Sequence, residues 1–393
     1  MTVFADKEKL SPYYIPSELP YREDQVNLLQ EIFENFLDKP GRTSVKILMI
    51  QGPIGSGKTC SVISFGRNFE KEAAERKVPL KFVYVNCKLE AGSRFLLYRK
   101  LLEKISPDIL SRGLSPEEML TQLINYLKGE GAFVLLALDE VDYLVKRMKD
   151  QKEVGSVIYD LTRLHELVLS PFSPLIGVIF ISKDFAWGSL LDPSERSTLG
   201  DLKIEFPNYK LDQLKDILMV RSEESFRRGA ISEEIIEYVA DITTNKTLNP
   251  GDCRFALDIL FYSGLTADSR GAKEVRTEYV RLAVKDCFTG IRTDDLLLLG
   301  DKELLVLKAV VRTLKNSKSA YASLQETWEN YLLECEEEKQ QPDSYNTYRS
   351  RIQDLKLRGI LEYRVEKGIS ISGATIEDFD RILLTLGRKI RNV

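Results

Sequence analysis

Four short runs of apolar residues alternate with amphipathic stretches over the first 200 residues of the chain. The runs read VKILMIQG, LKFVYVNC, AFVLLALDE and LIGVIFIS, and they end at residues 52, 87, 140 and 182. Each is apolar at nearly every position, which is typical of parallel strands covered by helices on both faces. The pattern therefore predicts an α/β core built on a parallel sheet.

The pattern changes twice further along the chain. The stretches KLDQLKDILMVRSEESF and SEEIIEYVADIT carry apolar residues at helical spacing. From about residue 299, three or four short helices precede GILEYRVEKGISISG, which reads as a strand, a Lys-Gly turn and a strand. We predict an α/β base domain over residues 1–205, a helical lid over 206–294 and a winged helix over 295–393. In the third helix of the winged helix, Leu355 and Leu357 should both face the hydrophobic core.

Length and composition narrow the class of protein. A chain of 393 residues exceeds the usual limit for one core, so several domains are expected. The net charge of −4 means that nucleic-acid binding would need a local basic face. The five cysteines lack C-x-x-C spacing, and no apolar run is long enough for a signal peptide or a membrane span. We expect a cytoplasmic, nucleoid-associated protein with reduced thiols and no membrane partner.

The segment GPIGSGKT fits the phosphate-loop pattern G-x-x-x-x-G-K-[ST] between a predicted strand and a predicted helix. Its glycines let consecutive backbone N–H groups face one anion at a helix N-terminus. Lys58 would reach the β- and γ-phosphates, and the Thr59 hydroxyl would bind Mg²⁺. The predicted nucleotide-binding residues of this loop are Gly52, Pro53, Ile54, Gly55, Ser56, Gly57, Lys58, Thr59 and Cys60.

Two acidic residues follow the third apolar run. FVLLALDEVDYL places Asp139 and Glu140 at the C-terminal end of a strand, where ligands of open α/β sheets bind. Asp139 would hold Mg²⁺ through a water molecule, together with Thr59, and Glu140 would polarise the attacking water, with Lys58 as the second catalytic residue. Together with the phosphate loop, these residues predict a site for ATP or ADP with Mg²⁺.

The Asp-Glu pair is similar to that of AAA+ ATPases, and four further segments resemble one branch of that class. They are residues 14–29, 191–200, 206–226 and 249–260. The branch is the archaeal replication initiators related to the origin recognition complex and to the cell-division-cycle helicase loader. The resemblance implies that Arg22 packs by the adenine, that Tyr209 binds nucleotide at the lid entry, and that Arg254 is a sensor contacting the γ-phosphate.

The chain departs from the pattern of this family at two positions. Lys183 stands where the family usually has a polar asparagine, and either Ser182 could serve instead or Lys183 could bind phosphate. Ser194 stands where the family has an arginine that acts on a neighbouring subunit, with Arg196 two positions later. Both departures indicate slow hydrolysis, with nucleotide acting mainly as a conformational ligand, so the chain would be a weak ATPase with DNA binding as its main activity.

The predicted winged helix carries the candidate DNA contacts. Its third helix would start after Ser344, or alternatively at Thr347, and Arg and Asn side chains in its first turns are suited to read base edges. Between residues 349 and 367 we count six basic residues against three acidic ones. The candidates are Tyr345, Asn346, Arg349 and Arg351 on the helix and Arg364 and Lys367 on the hairpin.

The resemblance also implies partners. An extra helical insertion in the base domain of initiators makes Arg112 a candidate for a DNA backbone contact, although it could equally be an ordinary surface charge. The implied partners are double-stranded origin DNA, other initiator paralogues and the replicative helicase. Two alternatives stay open: a signalling ATPase whose winged helix docks protein, and a regulatory paralogue of the initiators.

Overall fold

The computed structural model describes residues 2–42, 44–109, 111–150, 154–164, 173–244, 250–287, 299–317, 321–358, 360–364 and 368–371. The chain divides into two compact units, Met1–Val280 and Arg281–Val393. Within these ranges, every helix is too short or too polar to cross a bilayer.

A parallel sheet of five strands forms the centre of the first unit, in the order β2-β3-β4-β1-β5. The first four strands coincide with the four apolar runs, so those predictions are confirmed. The fifth is a three-residue strand at the edge of the sheet, which the sequence pattern did not predict. The strands are β1 (Lys46–Gln51), β2 (Leu80–Asn86), β3 (Phe133–Asp139), β4 (Leu175–Ser182) and β5 (Lys203–Glu205).

Helices cover both faces of this sheet, as the uniformly apolar strands predicted. Every residue of β3 and β4 is buried. One face packs in a cluster with Phe33 and Phe65, and the other in a cluster with Leu101 and Leu144. The helices up to the fifth strand are α1 (Glu23–Asp38), α2 (Lys58–Glu75), α3 (Cys87–Glu90), α4 (Arg94–Ile105), α5 (Pro116–Gly129), α6 (Val141–Asp150), α7 (Val154–Thr162) and α8 (Pro193–Thr198).

Four helices follow the sheet: α9 (Leu211–Ser225), α10 (Glu233–Thr244), α11 (Cys253–Ser269) and α12 (Thr277–Cys287). The N-terminal segment of the chain packs on α9 and α11. The Phe4 ring stacks on Phe226 with 4.9 Å between centroids, and the Ala5 N–H donates to the Ser225 carbonyl at 2.8 Å. Residues predicted for the base domain therefore contact helices predicted for the lid.

In the second unit, the described residues from 299 to 371 form three helices and a hairpin around a hydrophobic core. The elements are α13 (Asp301–Ser317), α14 (Leu324–Glu337), α15 (Tyr345–Leu357), β6 (Leu361–Arg364) and β7 (Gly368–Ile371). The two strands pair antiparallel, and Ala322 bridges to Ile369 as a third strand position. This is the winged-helix arrangement that the sequence predicted.

The third helix of this unit tests two predictions. The Ser344 hydroxyl caps α15 by accepting from the Thr347 N–H at 3.2 Å, so the start after Ser344 is confirmed. Leu355 is fully buried, but Leu357 is 39% exposed, so its predicted inward position is wrong. Positions two apart on a helix differ by about 200° and cannot share a face.

Candidate functional site

The loop between β1 and α2 contains three glycines, and two of them are left-handed where a side chain would also overlap a neighbouring residue. Gly57 precedes α2 in the left-handed region with φ of 90°, and a Cβ there would lie 2.6 Å from the Tyr209 hydroxyl oxygen. Gly55 has φ of 73°, and its Cβ would lie 1.9 Å from Asp252 Oδ1. The loop thus curls at the start of a helix, where backbone N–H groups are suited to bind an anion.

Lys58 is the first residue of α2, and its side chain folds back onto this loop without a carboxylate at hydrogen-bonding distance. Its ammonium donates to the carbonyls of Gly52 at 2.6 Å and Pro53 at 2.8 Å. Burial lowers the pKa of the ammonium to about 8, an effect that nearby Asp139 opposes and Arg254 reinforces. A desolvated cation held only by neutral carbonyls would gain from binding an anion such as a phosphate.

Asp139 receives three hydrogen bonds at the end of β3. Its Oδ2 accepts from the Thr59 hydroxyl at 2.6 Å and from the Tyr84 hydroxyl at 2.9 Å, and its Oδ1 accepts from the Glu140 N–H at 2.8 Å. Hydroxyl and carboxylate oxygens are ligands suited to Mg²⁺, which commonly uses one or two protein groups together with waters and substrate phosphates. The pair that the sequence proposed for Mg²⁺ is therefore in direct contact and fits that ion.

Glu140 begins the turn from β3 into α6 with φ of 54°, which is uncommon for a non-glycine residue. Burial raises the pKa of its carboxyl group, and Lys88 opposes this effect. Strained backbone of this kind is concentrated at functional sites. The side chain is half-buried beside Asp139, which is the location expected of a residue that would polarise water.

Arg22 joins the segment before α1 to the phosphate loop and to the start of the lid helices. Its Nε donates to the Ser56 carbonyl at 2.8 Å, and its Nη2 donates to the Pro207 carbonyl at 2.7 Å. The guanidinium carbon lies 3.9 Å from the centroid of the Tyr209 ring. Arg22 and Tyr209, both proposed as nucleotide-binding residues, therefore form one stacked and buried pair against the loop.

The N-terminus of α11 meets the phosphate loop. The Cys253 N–H donates to the Gly55 carbonyl at 3.3 Å, and Asp252 caps the helix by accepting from the Phe255 N–H at 3.1 Å. Arg254 follows directly, and its positive charge influences the pKa values of Lys58 and Glu140. The positive charge of the proposed sensor arginine thus acts on both catalytic candidates.

The structure does not bring the Lys183 side chain into this group. Lys183 is exposed, and it contributes its backbone carbonyl, which accepts from the Gly52 N–H at 3.1 Å. The Ser182 hydroxyl donates to the Asp184 carbonyl at 2.8 Å. The Arg196 guanidinium lies 6.0 Å from the centroid of Phe185. Neither Ser182 nor Lys183, the two candidates to replace the asparagine of the family, has a hydrogen bond that directs its side chain toward Glu140.

The DNA candidates differ in how free their side chains are. Asn346 and Arg349 are exposed on the first two turns of α15, whereas the Arg351 Nε donates to Asp343 Oδ2 at 2.7 Å. The Tyr345 ring packs edge-on against Trp328 at 5.3 Å. Arg112 is exposed in the loop between α4 and α5. The Arg364 side chain and the whole of Lys367 lie outside the described residues.

Sequence reasoning missed two residues of the site. Asp252 could have been found as the acidic residue immediately before a helix, a common N-cap signal. Tyr84 has no motif, and only the pairing of β2 with β3 brings it to Asp139.

Three family descriptions match consecutive parts of the chain. An AAA domain matches residues 42–184, a Cdc6 AAA+ ATPase-type lid domain matches 215–285, and the C-terminal winged helix domain of CDC6 matches 299–375. The ORC1-type DNA replication protein 2 of Sulfurisphaera tokodaii is 30% identical over 378 residues, which cover 95% of this chain and 88% of the relative.

Two solved structures resemble the whole chain. Cdc6p from Pyrobaculum aerophilum is 28% identical with a TM-score of 0.62, and the match covers 98% of this chain and 99% of that one. The ORC1 protein of Aeropyrum pernix, solved in complex with DNA, is 23% identical with a TM-score of 0.71 and 99% coverage of both chains. At that identity the second likeness shows the fold.

Proposed function

The chain belongs to the family of ORC1-type DNA replication proteins, and from this premise we propose that it binds origin duplex DNA under the control of bound ATP or ADP. Nucleotide binding is supported by one observation: the side chains of Lys58, Thr59 and Asp139 lie together beside the phosphate loop. The winged-helix fold with exposed polar side chains on its third helix supports the DNA half.

At the nucleotide site, each side chain has a separate task. Lys58 would exchange its two carbonyl partners for phosphate oxygens, and Thr59 with Asp139 would hold Mg²⁺. The ion would neutralise phosphate charge when bound. Arg22 and Tyr209 would form the wall beside the adenine, and Arg254 would reach the γ-phosphate from α11.

Contact between α11 and the phosphate loop supports a conformational role for the nucleotide. Because the Cys253 N–H already bonds the Gly55 carbonyl, phosphates entering the loop would change the position of the lid helices. Ser182 donates its hydroxyl elsewhere and Lys183 is exposed, which supports slow hydrolysis. A turnover above roughly 1 s⁻¹, the lower end of the usual enzyme range, would contradict this.

On the DNA side, we propose that Asn346 and Arg349 contact base edges, with Tyr345 beside them. Arg351 would take part only by leaving Asp343. Arg364, Lys367 and Arg112 would contact the phosphate backbone. Recruitment of the replicative helicase and association with other initiators rest on the family alone.

The test of the proposal is selection of bound duplexes from fragmented genomic DNA at two salt concentrations. Arg349→Ala is the test variant, and Lys356→Ala, which removes a charge from the last turn of the same helix, is the matched control. We expect a few discrete loci to be enriched by the parent chain and by the control, and to be lost with Arg349→Ala.

Two other results would change the proposal. Uniform weak binding with a steep salt dependence would mean phosphate contacts without base reading. Absence of binding at both salt concentrations would refute origin binding and favour a winged helix that docks protein.

A further inference from the structure

Tyr84 lies beside the proposed nucleotide site but belongs to none of its motifs. It is on β2, and its hydroxyl donates to Asp139 Oδ2 at 2.9 Å, the same oxygen that accepts from Thr59 at 2.6 Å. The Glu140 N–H occupies Oδ1. Two side chains and one backbone group therefore fix the orientation of this carboxylate.

The strand register explains why a tyrosine can make this contact. Tyr84 pairs with Ala137, so its Cα lies two residues behind Asp139 on the neighbouring strand. Two residues of a parallel strand span about 6.6 Å, a distance that a tyrosine side chain can cover and that serine or threonine cannot. Ala137 is fully buried and carries only a methyl group, which leaves space for the ring on this face of the sheet.

The hydrogen bonds on Asp139 have a consequence for metal binding. If the Thr59 oxygen held Mg²⁺, its proton would stay directed at Asp139, as it is in this structure, so the carboxylate would have to keep its position. The second donor on Oδ2 holds it there. Groups that orient metal ligands by hydrogen bonds commonly change metal affinity by about 10- to 100-fold when they are removed.

We propose that Tyr84 is a positioning residue of the nucleotide site, which orients Asp139 and Thr59 for Mg²⁺. This inference rests on the proposed function, because it concerns the same site. It predicts that the hydroxyl of Tyr84 contributes to the part of the nucleotide affinity that depends on the metal.

The test uses the full chain with Tyr84→Phe, which keeps the ring and removes only the hydroxyl. ADP affinity is measured in Mg²⁺ and again in EDTA, and the ratio of the two affinities is the readout. We expect this ratio to fall about tenfold in the variant, with affinity in EDTA unchanged within twofold. Tyr126→Phe is the matched control, since Tyr126 is a half-buried tyrosine on α5 outside the site, and it should keep the parental ratio.

The outcomes separate this inference from the proposed function. If Tyr84→Phe keeps the parental ratio, or weakens binding equally in Mg²⁺ and in EDTA together with a lower melting temperature, Tyr84 is only structural and the inference is wrong. If the parent chain binds no ADP in either condition, and Lys58→Ala is indistinguishable from it, the nucleotide site itself is refuted and the role of Tyr84 is refuted with it.

Discussion

At the scale of single residues, the phosphate loop depends on the absence of side chains at defined points. Gly55 combines a left-handed φ with direct approach to Asp252, whereas Gly113 has φ of 85° with open space around it. The two glycines therefore separate the cost of the backbone conformation from the cost of steric overlap.

We predict that Gly55→Ala lowers the free energy of unfolding by about 2–4 kcal/mol, because the strain of a left-handed alanine adds to overlap with Asp252. Gly113→Ala should lose only the conformational part, about 1–2 kcal/mol. Denaturant unfolding of both variants measures the difference, and ADP binding by Gly55→Ala should be weakened as well. Equal losses of stability would show that α11 does not constrain the loop.

The thiol of Cys253 reports on the same contact through its pKa. Burial raises this pKa from 9.0 to about 12. The folded state therefore holds the proton more tightly than the unfolded chain, and the stability that this group contributes is lost as the pH rises from about 9 to about 12.

We predict slow alkylation of Cys253 by iodoacetamide at pH 8, at least tenfold slower in the native protein than in urea, because the thiolate is the reactive form. Peptide mass spectrometry locates the modified cysteine, and Cys253→Ser verifies the assignment. A native rate equal to the rate in urea would mean that α11 separates freely from the loop.

At the scale of elements, the N-terminal segment is part of the packing of α9 and α11. Phe4 is 5% exposed and lies against Phe226 and Phe261, with ring centroids 4.9 and 6.1 Å away. It also fills the space beside Gly264, where a Cβ would lie 2.2 Å from the ring. The segment therefore stabilises helices that are distant from it in sequence.

We predict that Phe4→Ala lowers the free energy of unfolding by about 3–5 kcal/mol, as for other buried phenylalanines. Lys7→Ala, an exposed change in the same segment, should stay within about 0.5 kcal/mol. Thermal unfolding of the two variants measures this. A small effect of Phe4→Ala would mean that contact with the N-terminal segment does not stabilise the helices.

Substitution of the two arginines near the start of α15 should affect different properties, stability for one and DNA affinity for the other. Arg351 is paired with Asp343 and is only partly exposed, whereas Arg349 is exposed. We predict that Arg351→Ala lowers stability by up to about 1 kcal/mol, the usual limit for a partly exposed ion pair. Arg349→Ala should leave stability unchanged and weaken duplex binding by about 1–3 kcal/mol. Melting temperatures and binding titrations of both variants measure the two effects. A loss of stability with Arg349→Ala and a loss of binding with Arg351→Ala would contradict the prediction.

How far the sequence predicts each element depends on whether the signal is local. The phosphate loop and the strand that ends at Asp139 have local signals. Closely spaced glycines followed by a lysine predict the loop, and an uninterrupted apolar run predicts the strand. The contact of Tyr84 with Asp139 and the packing of Phe4 on Phe226 depend on pairing between distant segments, which no local pattern encodes. The three-residue strand β5 is too short to show a period. The prediction for Leu357 is wrong because residues two positions apart on a helix do not lie on the same face as each other.

At the scale of the whole molecule, the two compact units carry different parts of the proposed function. The second unit has its own hydrophobic core, with Val306, Val310, Tyr348 and Leu355 all fully buried. The candidate DNA contacts of α15 belong to this unit, and Arg112 belongs to the first. Binding through both units would gain from effective concentration, because the second contact becomes intramolecular.

We therefore predict that residues 295–393, expressed alone, fold cooperatively and bind the selected duplex at least tenfold more weakly than the full chain. The slope of affinity against salt should also be shallower, by about 0.9 for each phosphate contact that is lost with the first unit. If Arg112 is one of those contacts, Arg112→Ala in the full chain should show part of the same loss, with weaker binding and a shallower slope. Equal affinity and slope for the fragment and the full chain would assign all DNA binding to the winged helix and leave the first unit with the nucleotide alone.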